Sequence, residues 1–365
     1  MDSTRISSNQ LGALIIGFVL GSSVILSPGL NAGSASWLTV ITGVALASPI
    51  VAVIIKLSSV YPGKTLVEIN DLVLGPIGGK LFSLLYLWYF FHLGALVLND
   101  IADFISSIMP TTPYPVFLVV TAAVVIYLSR NGIEVMARCS SVIVFYSFLF
   151  ILIVLILMFN HIDLANFLPI SSISIRDFLK ASYEVTVFPF GDIIVFTMLI
   201  GFINDRNKTS STIVTALIIC TIYGTLFNSI AVAGLGNLME SAIYPGYNMV
   251  RRIDIYSIIT RVDIIGASAN LTLGILKTSV TLYAVSLGCA QMFKLRTSAP
   301  LVLPIGTLMI LMSLIQFDSV IHNLVFHEKT YIYYAPFFQA FLPLVTLLMY
   351  LLKQHLPSEK SKSVA

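Results

Sequence analysis

One lysine, one aspartate and two clusters of small or kink-forming residues carry the chemistry that this sequence offers. Lys277 stands in Leu271-Thr272-Leu273-Gly274-Ile275-Leu276-Lys277-Thr278-Ser279, a run with no other charge. A cation in such a run is costly to bury and ordinarily faces a cavity or a partner. Lys277 is therefore a candidate coupling residue, its ammonium expected against backbone carbonyls of the first interrupted segment, in place of a bound cation. Asp192 follows Val187-Phe188-Pro189-Phe190-Gly191. An acid where a half-helix restarts either caps it or takes part in ligand or proton binding. The third cluster is Gly21-Ser22-Ser23, early in the chain. Tyr86 and Tyr89 lie a helical turn apart, so Tyr89 can wall a pocket on one helix face.

These residues need helices that stop inside a membrane. A helix end exposes N–H groups at its start and C=O groups at its finish. Lipid satisfies neither, so at depth they must meet protein, water or ligand. A half-helix starting after Gly21, Ser22 and Ser23 aims amides and the positive dipole end at a carboxylate. At the other break Pro189 removes an N–H, so the carbonyls of Val187 and Phe188 accept from an ammonium. The two ends together suit a zwitterion with amine and carboxylate close together, an α-amino acid. Phe188 and Phe190 are expected to line an apolar pocket for its side chain, and Gly191 is expected among the ligand-binding residues. Asp100 and Asp103 are expected to face water. The sequence shows no HExxH, GxSxG or Walker loop, which argues against an enzyme and implies no cofactor. The histidines are scattered, and Cys139, Cys220 and Cys289 form no metal-ligating pair, so no metal site is expected.

Composition supplies the solvent for such breaks. The chain has 365 residues, 57% of them hydrophobic and 10% charged, against roughly 25% charged in soluble domains. A net charge of +3 with no basic–aromatic patch excludes nucleic acid as a partner. Ten apolar stretches approach the roughly 20 residues that span a bilayer: about 10–33, 36–59, 80–106, 115–129, 141–160, 184–203, 211–235, 262–292, 299–316 and 332–353. An N-terminus inside places thirteen Lys and Arg in the cytoplasm and six outside, so both termini are expected to be cytoplasmic. The first stretch is too long for a signal-peptide core. Thr65–Leu74 and Arg176–Ser182 read as short helices beside the membrane, and Pro245–Asp263 as an external amphipathic segment. Each interrupted stretch opens a run of five spans, the mark of an inverted-repeat transporter with its site at mid-membrane. The expected fold is an all-α integral membrane protein of about ten helices in a 5+5 inverted repeat (LeuT/APC-like), with helices 1 and 6 discontinuous. Residues 1–365 form a single transmembrane domain: repeat one over about 10–160, repeat two over about 175–353, and a short tail, 354–365.

Gly21-Ser22-Ser23-Val24-Ile25-Leu26-Ser27-Pro28 resembles the first-helix signature of the amino acid–polyamine–organocation superfamily, Gly-Ser-Gly-Val/Ile-x-x-x-Pro. Ser23 departs from it by adding a side chain where backbone meets carboxylate. Tyr61-Pro62-Gly63-Lys64-Thr65-Leu66, Asn131-Gly132-Ile133-Glu134-Val135-Met136-Ala137-Arg138, Leu168-Pro169-Ile170, Tyr244-Pro245 and Arg261-Val262-Asp263 follow in order. Together they resemble the B subunit of spore nutrient germinant receptors, over essentially the whole chain. Two departures are Asp192, where the family suggests a longer acid, and Ala267-Ser268-Ala269-Asn270, where a Trp-containing run is usual. The resemblance implies a multi-pass protein of the spore inner membrane, working with a larger A subunit and a lipoprotein C subunit. It implies recognition of a nutrient, usually an amino acid, that starts germination. The alternative is a proton-coupled amino-acid transporter on the same pocket.

Overall fold

Ser7 opens the first helix. Its hydroxyl accepts from the Gln10 amide while the Gln10 side chain returns to the Ser7 N–H, a reciprocal capping box. The computed structural model describes residues 5–169, 173–239, 242–252 and 262–355, and of Ser22, Val24, Asn237 and His355 the backbone only. Ile170, Arg261 and the tail beyond His355 lie outside the described residues.

The order is α1 (Ser8–Leu26), α2 (Ser36–Val60), α3 (Leu66–Ile108), α4 (Tyr114–Arg130) and α5 (Ile133–Met158), then α6 (Ile175–Val185), α7 (Thr209–Leu235), α8 (Pro245–Arg251), α9 (Val262–Met292) and α10 (Ala299–Ile315). A last segment joins α11 (Val320–Phe326), α12 (Ile332–Pro336) and α13 (Leu342–His355) through π turns at His327–Tyr331 and Phe337–Phe341. Six helical stretches among the described residues are long and apolar enough to cross a membrane, and Ser8–Gly21, Tyr114–Arg130 and Ala299–Ile315 are shorter apolar helices. Lipid-facing positions such as Val142, Phe145 and Ile156 on α5 stay exposed, as expected where lipid is the solvent.

α9 is the axis of the bundle, lying against α1, α3, α4, α5 and α10. Its Thr and Ser residues bond back to the preceding turn, Thr278 to the Gly274 carbonyl at 3.0 Å and Ser279 to Ile275 at 2.7 Å. Their hydroxyls therefore cost little in an apolar setting. Leu66–Leu74 does form a short helix, capped by Thr65 and Glu68. Non-helical Gly75 (φ 78°) and Pro76 separate it from the long span that follows.

Two expectations change. α1 runs unbroken through Gly21, Ser22 and Ser23 and stops at Leu26, with Ser27 left-handed (φ 48°). The chain turns at Ser27–Gly29 and continues as a 3₁₀ helix, Leu30–Ala35. The reason is packing. A Cβ at Gly21 would lie 2.7 Å from the Lys277 Cβ and 2.8 Å from the Leu273 carbonyl oxygen, so Gly21 lets α1 and α9 touch rather than unwinding the helix. Ser23 stays helical because its hydroxyl bonds to the Val19 carbonyl, 2.8 Å away. Arg176–Ser182 is likewise no separate surface helix. It belongs to α6, which leads directly into the interrupted sixth segment.

Candidate functional site: an ion pair at the interrupted sixth segment

α6 ends at Val185. A π turn, Thr186–Phe190, follows, with Phe188 out of helical conformation (φ −133°, ψ 118°), and the chain resumes as a 3₁₀ helix over Gly191–Met198. Pro189 removes a helical N–H and its ring crowds the carbonyl one turn before it, which disfavours a regular helix here. Thr186 anchors the turn, its hydroxyl donating to Gly43 of α2 at 3.0 Å and to Ser182 at 2.9 Å. Every residue from Val185 to Ile200 is buried.

Asp192 faces inward from the restart. Its Oδ2 accepts from the Lys277 Nζ at 2.8 Å, with both side chains at 0% exposure. Its Oδ1 accepts from the Tyr89 hydroxyl at 3.0 Å, from Gln339 Nε2 at 3.0 Å and, in a short bond, from the Tyr331 hydroxyl. Gln339 Nε2 also reaches the Tyr89 hydroxyl at 2.7 Å and the Val187 carbonyl at 2.9 Å. The Lys277 ammonium lies 4.4 Å from the ring centre of Phe188 and 5.0 Å from that of Phe18, where ring quadrupoles attract a cation. A buried ion pair is tolerable only when its remaining lone pairs are bonded, and this carboxylate has four donors from three helical segments.

The structure brings Lys277, Asp192, Tyr89, Val187, Phe188, Gly191 and Gly21 into one region. It changes two expected roles. Lys277 pairs with the Asp192 carboxylate, not with carbonyls of the first segment, because a full charge a few ångströms away outcompetes a carbonyl dipole. Asp192 forms no side-chain cap, since its oxygens are spent on the lysine, two tyrosines and the glutamine. The Val187 carbonyl is occupied by Gln339. Phe188 and Phe190 point to different cavities. Phe190 and Ser23 line a small apolar one of about 30 Å³ with Tyr223 and Asn228. Phe188 borders a second, about 90 Å³, on the face of the bundle away from the N-terminus, with Glu184, His327, Glu328 and Tyr331. The Ser22 side chain lies outside the described residues.

Sequence reading missed Tyr331 and Gln339. Gln339 is a lone amide in Phe337-Phe338-Gln339-Ala340-Phe341, which is itself a signal. Tyr331 carries none, being one aromatic among many. Eight residues apart, the two would differ by roughly 80° around a regular α-helix, and the π turn between them, wider than an α turn, takes up that offset.

On the N-terminal side a backbone bridge ties the start of the chain to the end of the interrupted segment. Ile6 and Ile203 pair as a short bridge, with Ile6 N–H donating to Phe202 and Asn204 N–H to Ile6, each at 3.0 Å.

Two solved structures share this fold. One is MhsT in complex with L-phenylalanine, 13% identical with a TM-score of 0.68, over 96% of this chain and 99% of that one. The other is the nucleobase-cation-symport-1 family transporter Mhp1 in a closed conformation with bromovinylhydantoin bound, 15% identical with a TM-score of 0.66, over 89% of this chain and 75% of that one. Architecture and apolar helices together define an integral membrane protein of the LeuT-type transporter fold, a 5+5 inverted repeat. Within that class the chain belongs to the spore permease family, described as spore germination protein, which it matches over residues 5–320. Spore germination protein KB of Bacillus subtilis is 30% identical over 319 residues, 86% of each chain. Spore germination protein YndE of the same organism is 24% identical over 307 residues, 80% of this chain and 82% of that one.

Proposed function

We propose that this permease-fold protein is the B subunit of a spore nutrient germinant receptor, binding a small neutral amino acid at mid-membrane. The observation that carries the reading is the fully buried Lys277–Asp192 pair at the interrupted sixth segment. A zwitterionic ligand offers a carboxylate to Lys277 and an ammonium to Asp192, so it exchanges one ion pair for two. Tyr89, Tyr331 and Gln339 hold the acid in place during that exchange, and Phe18 and Phe188 keep the lysine desolvated. The cavity bordered by Phe188 and Tyr331 is the approach, lined by Glu184 and Glu328. Ligand binding shifts the balance between two arrangements of the helices, which an A subunit and a lipoprotein C subunit read in the spore inner membrane. Both termini are cytoplasmic in this reading, so the Phe188 cavity opens outward.

The family match favours a receptor; the fold equally supports a proton-coupled amino-acid transporter. Purified protein in liposomes separates them. Labelled amino acids are offered with and without an inward proton gradient, alongside equilibrium binding on the same sample. Saturable binding without accumulation is the expected result. Gradient-driven accumulation makes the protein a transporter, and absence of binding to any amino acid rejects the ligand class.

A further inference from the structure

A cavity of about 310 Å³ opens where the α4–α5 and α9–α10 connections meet the end of the interrupted segment. Phe202 forms part of its wall. The Phe202 carbonyl takes the Ile6 N–H, so the cavity lies on the N-terminal face of the bundle, away from the Phe188 cavity. Arg130, at the end of α4, and Arg296, in the connection to α10, both line it. Both are exposed, and neither has an ion pair or a hydrogen bond among the described residues. No acid lines the cavity among the described residues. Glu134, the acid closest to Arg130 in sequence, is turned to the Arg5 N–H at 3.3 Å and to the Arg138 guanidinium at 3.8 Å.

The other lining groups are donors as well. Two long helices start on this cavity, α5 after Gly132 and α10 after Ser298. Neither start carries a side-chain cap, and the first amides of a helix have no acceptor of their own. Both starts also present the positive end of a helix dipole. Tyr283 of α9 adds an independent sign of a missing partner. It is 8% exposed and lines the cavity, yet its hydroxyl has no hydrogen-bond partner among the described residues. A buried phenol ordinarily has one.

Two unpaired guanidiniums, two uncapped helix starts and a free phenol around one space call for an anion with several oxygens. A carboxylate offers two oxygens in one plane, whereas these donors come from α4, α5, α9 and the loop before α10. A phosphate spreads its oxygens in three dimensions, carries up to two charges against the two arginines, and suits the planar fork of each guanidinium. We infer that this cavity is a binding site for a phosphate group, borne by a lipid headgroup or by a soluble phosphate. Tyr127, one turn before Arg130, and Phe293 and Leu295, just before Arg296, are exposed on the same connections. Basic pockets between membrane helices hold anionic headgroups in this way. A bound phosphate braces the α4–α5 and α9–α10 connections against the end of the interrupted segment, beside the Ile6–Ile203 bridge.

The test uses the purified full chain in detergent at constant ionic strength. Equilibrium dialysis against ³²P-labelled inorganic phosphate reads the soluble source. Native mass spectrometry with added phosphatidylglycerol or phosphatidylcholine reads the lipid source. Saturable binding of one phosphate per chain, or retention of phosphatidylglycerol in preference to phosphatidylcholine, is expected, and the arm that responds identifies the source. In that arm Arg130→Gln and Arg296→Gln each lower the affinity by about tenfold, the loss of a charge-assisted bond. Tyr283→Phe lowers it by about fivefold, the loss of a neutral one. Arg138→Gln makes the same charge change off the cavity and leaves the affinity within about twofold at screening ionic strength. Should one arginine variant lose the wild-type size-exclusion peak, the other arginine variant and Tyr283→Phe decide. Binding in neither arm overturns the inference. So does a loss in Arg138→Gln as large as in Arg130→Gln and Arg296→Gln, which reduces the binding to general surface charge.

Discussion

Removing the Lys277 ammonium while keeping its length, as Lys277→Met, isolates the central ion pair. The Asp192 carboxylate then loses its charged partner at 2.8 Å but keeps Tyr89, Tyr331 and Gln339. Breaking one side of a buried pair costs about 3–5 kcal/mol, and the three surviving donors place this case near the middle, about 4 kcal/mol. Unfolding entropy scales with chain length, so about 4 kcal/mol in a chain of this size lowers the unfolding midpoint by about 5 °C. Asp192→Asn keeps the shape and leaves the ammonium with only the faces of Phe18 and Phe188, at about 3 kcal/mol. The double variant contains no charge, so its cost falls short of the sum by at least about 2 kcal/mol. Thermal midpoints of the four proteins in one detergent, read by loss of the monodisperse size-exclusion peak, close the cycle. Additivity to within about 0.5 kcal/mol refutes the ion pair as an energetic unit. Unchanged ligand affinity in Lys277→Met removes the pair from the binding reaction.

Gly21→Leu drives a side chain into the Lys277 stem and the Leu273 carbonyl; ligand response is expected to vanish while membrane insertion, checked by fractionation, persists. A Cβ at Gly191 runs into the Gln339 amide oxygen, so Gly191→Ala is expected to lower the thermal midpoint as overpacking of about 1–3 kcal/mol does. Adding Gln339→Ala should restore part of that loss, and an identical midpoint in the double variant counts against the clash. Ile6→Pro deletes the N–H that bonds Phe202, a loss of about 1 kcal/mol. A cysteine at Ile203, in a background without Cys139, Cys220 and Cys289, is then expected to react with a polar thiol reagent about fivefold faster.

Much of this arrangement was legible in the sequence, in proportion to how local each signal is. Lys277 stood out because one charge in an apolar run has few explanations, and Pro189 marked the sixth-segment break because a proline beside a glycine and an acid disfavours a continuous helix. Gly21 misled because a glycine that permits close approach and one that ends a helix look alike; only α9, some 250 residues away, distinguishes them. Asp100 and Asp103 read as a wet helix end because the neighbours that bury them, Asn323 and His327, come from the opposite end of the chain. The amphipathic pattern of α6 read as a surface helix, yet it is one half of the interrupted segment, where a charged face borders a cavity.

The two π turns make the last segment longer in sequence than in space. Each turn winds more residues than an α-helical turn does, so the rod from Val320 to His355 holds surplus residues at His327–Tyr331 and Phe337–Phe341. Rewinding either turn as a regular α-helix with every residue kept rotates what lies beyond it by roughly 100°, carrying Gln339 off the Asp192 carboxylate. Alignment of this site thus rests on helical phase. The segment has two self-consistent windings, and only one of them presents Tyr331 and Gln339 to the same acid.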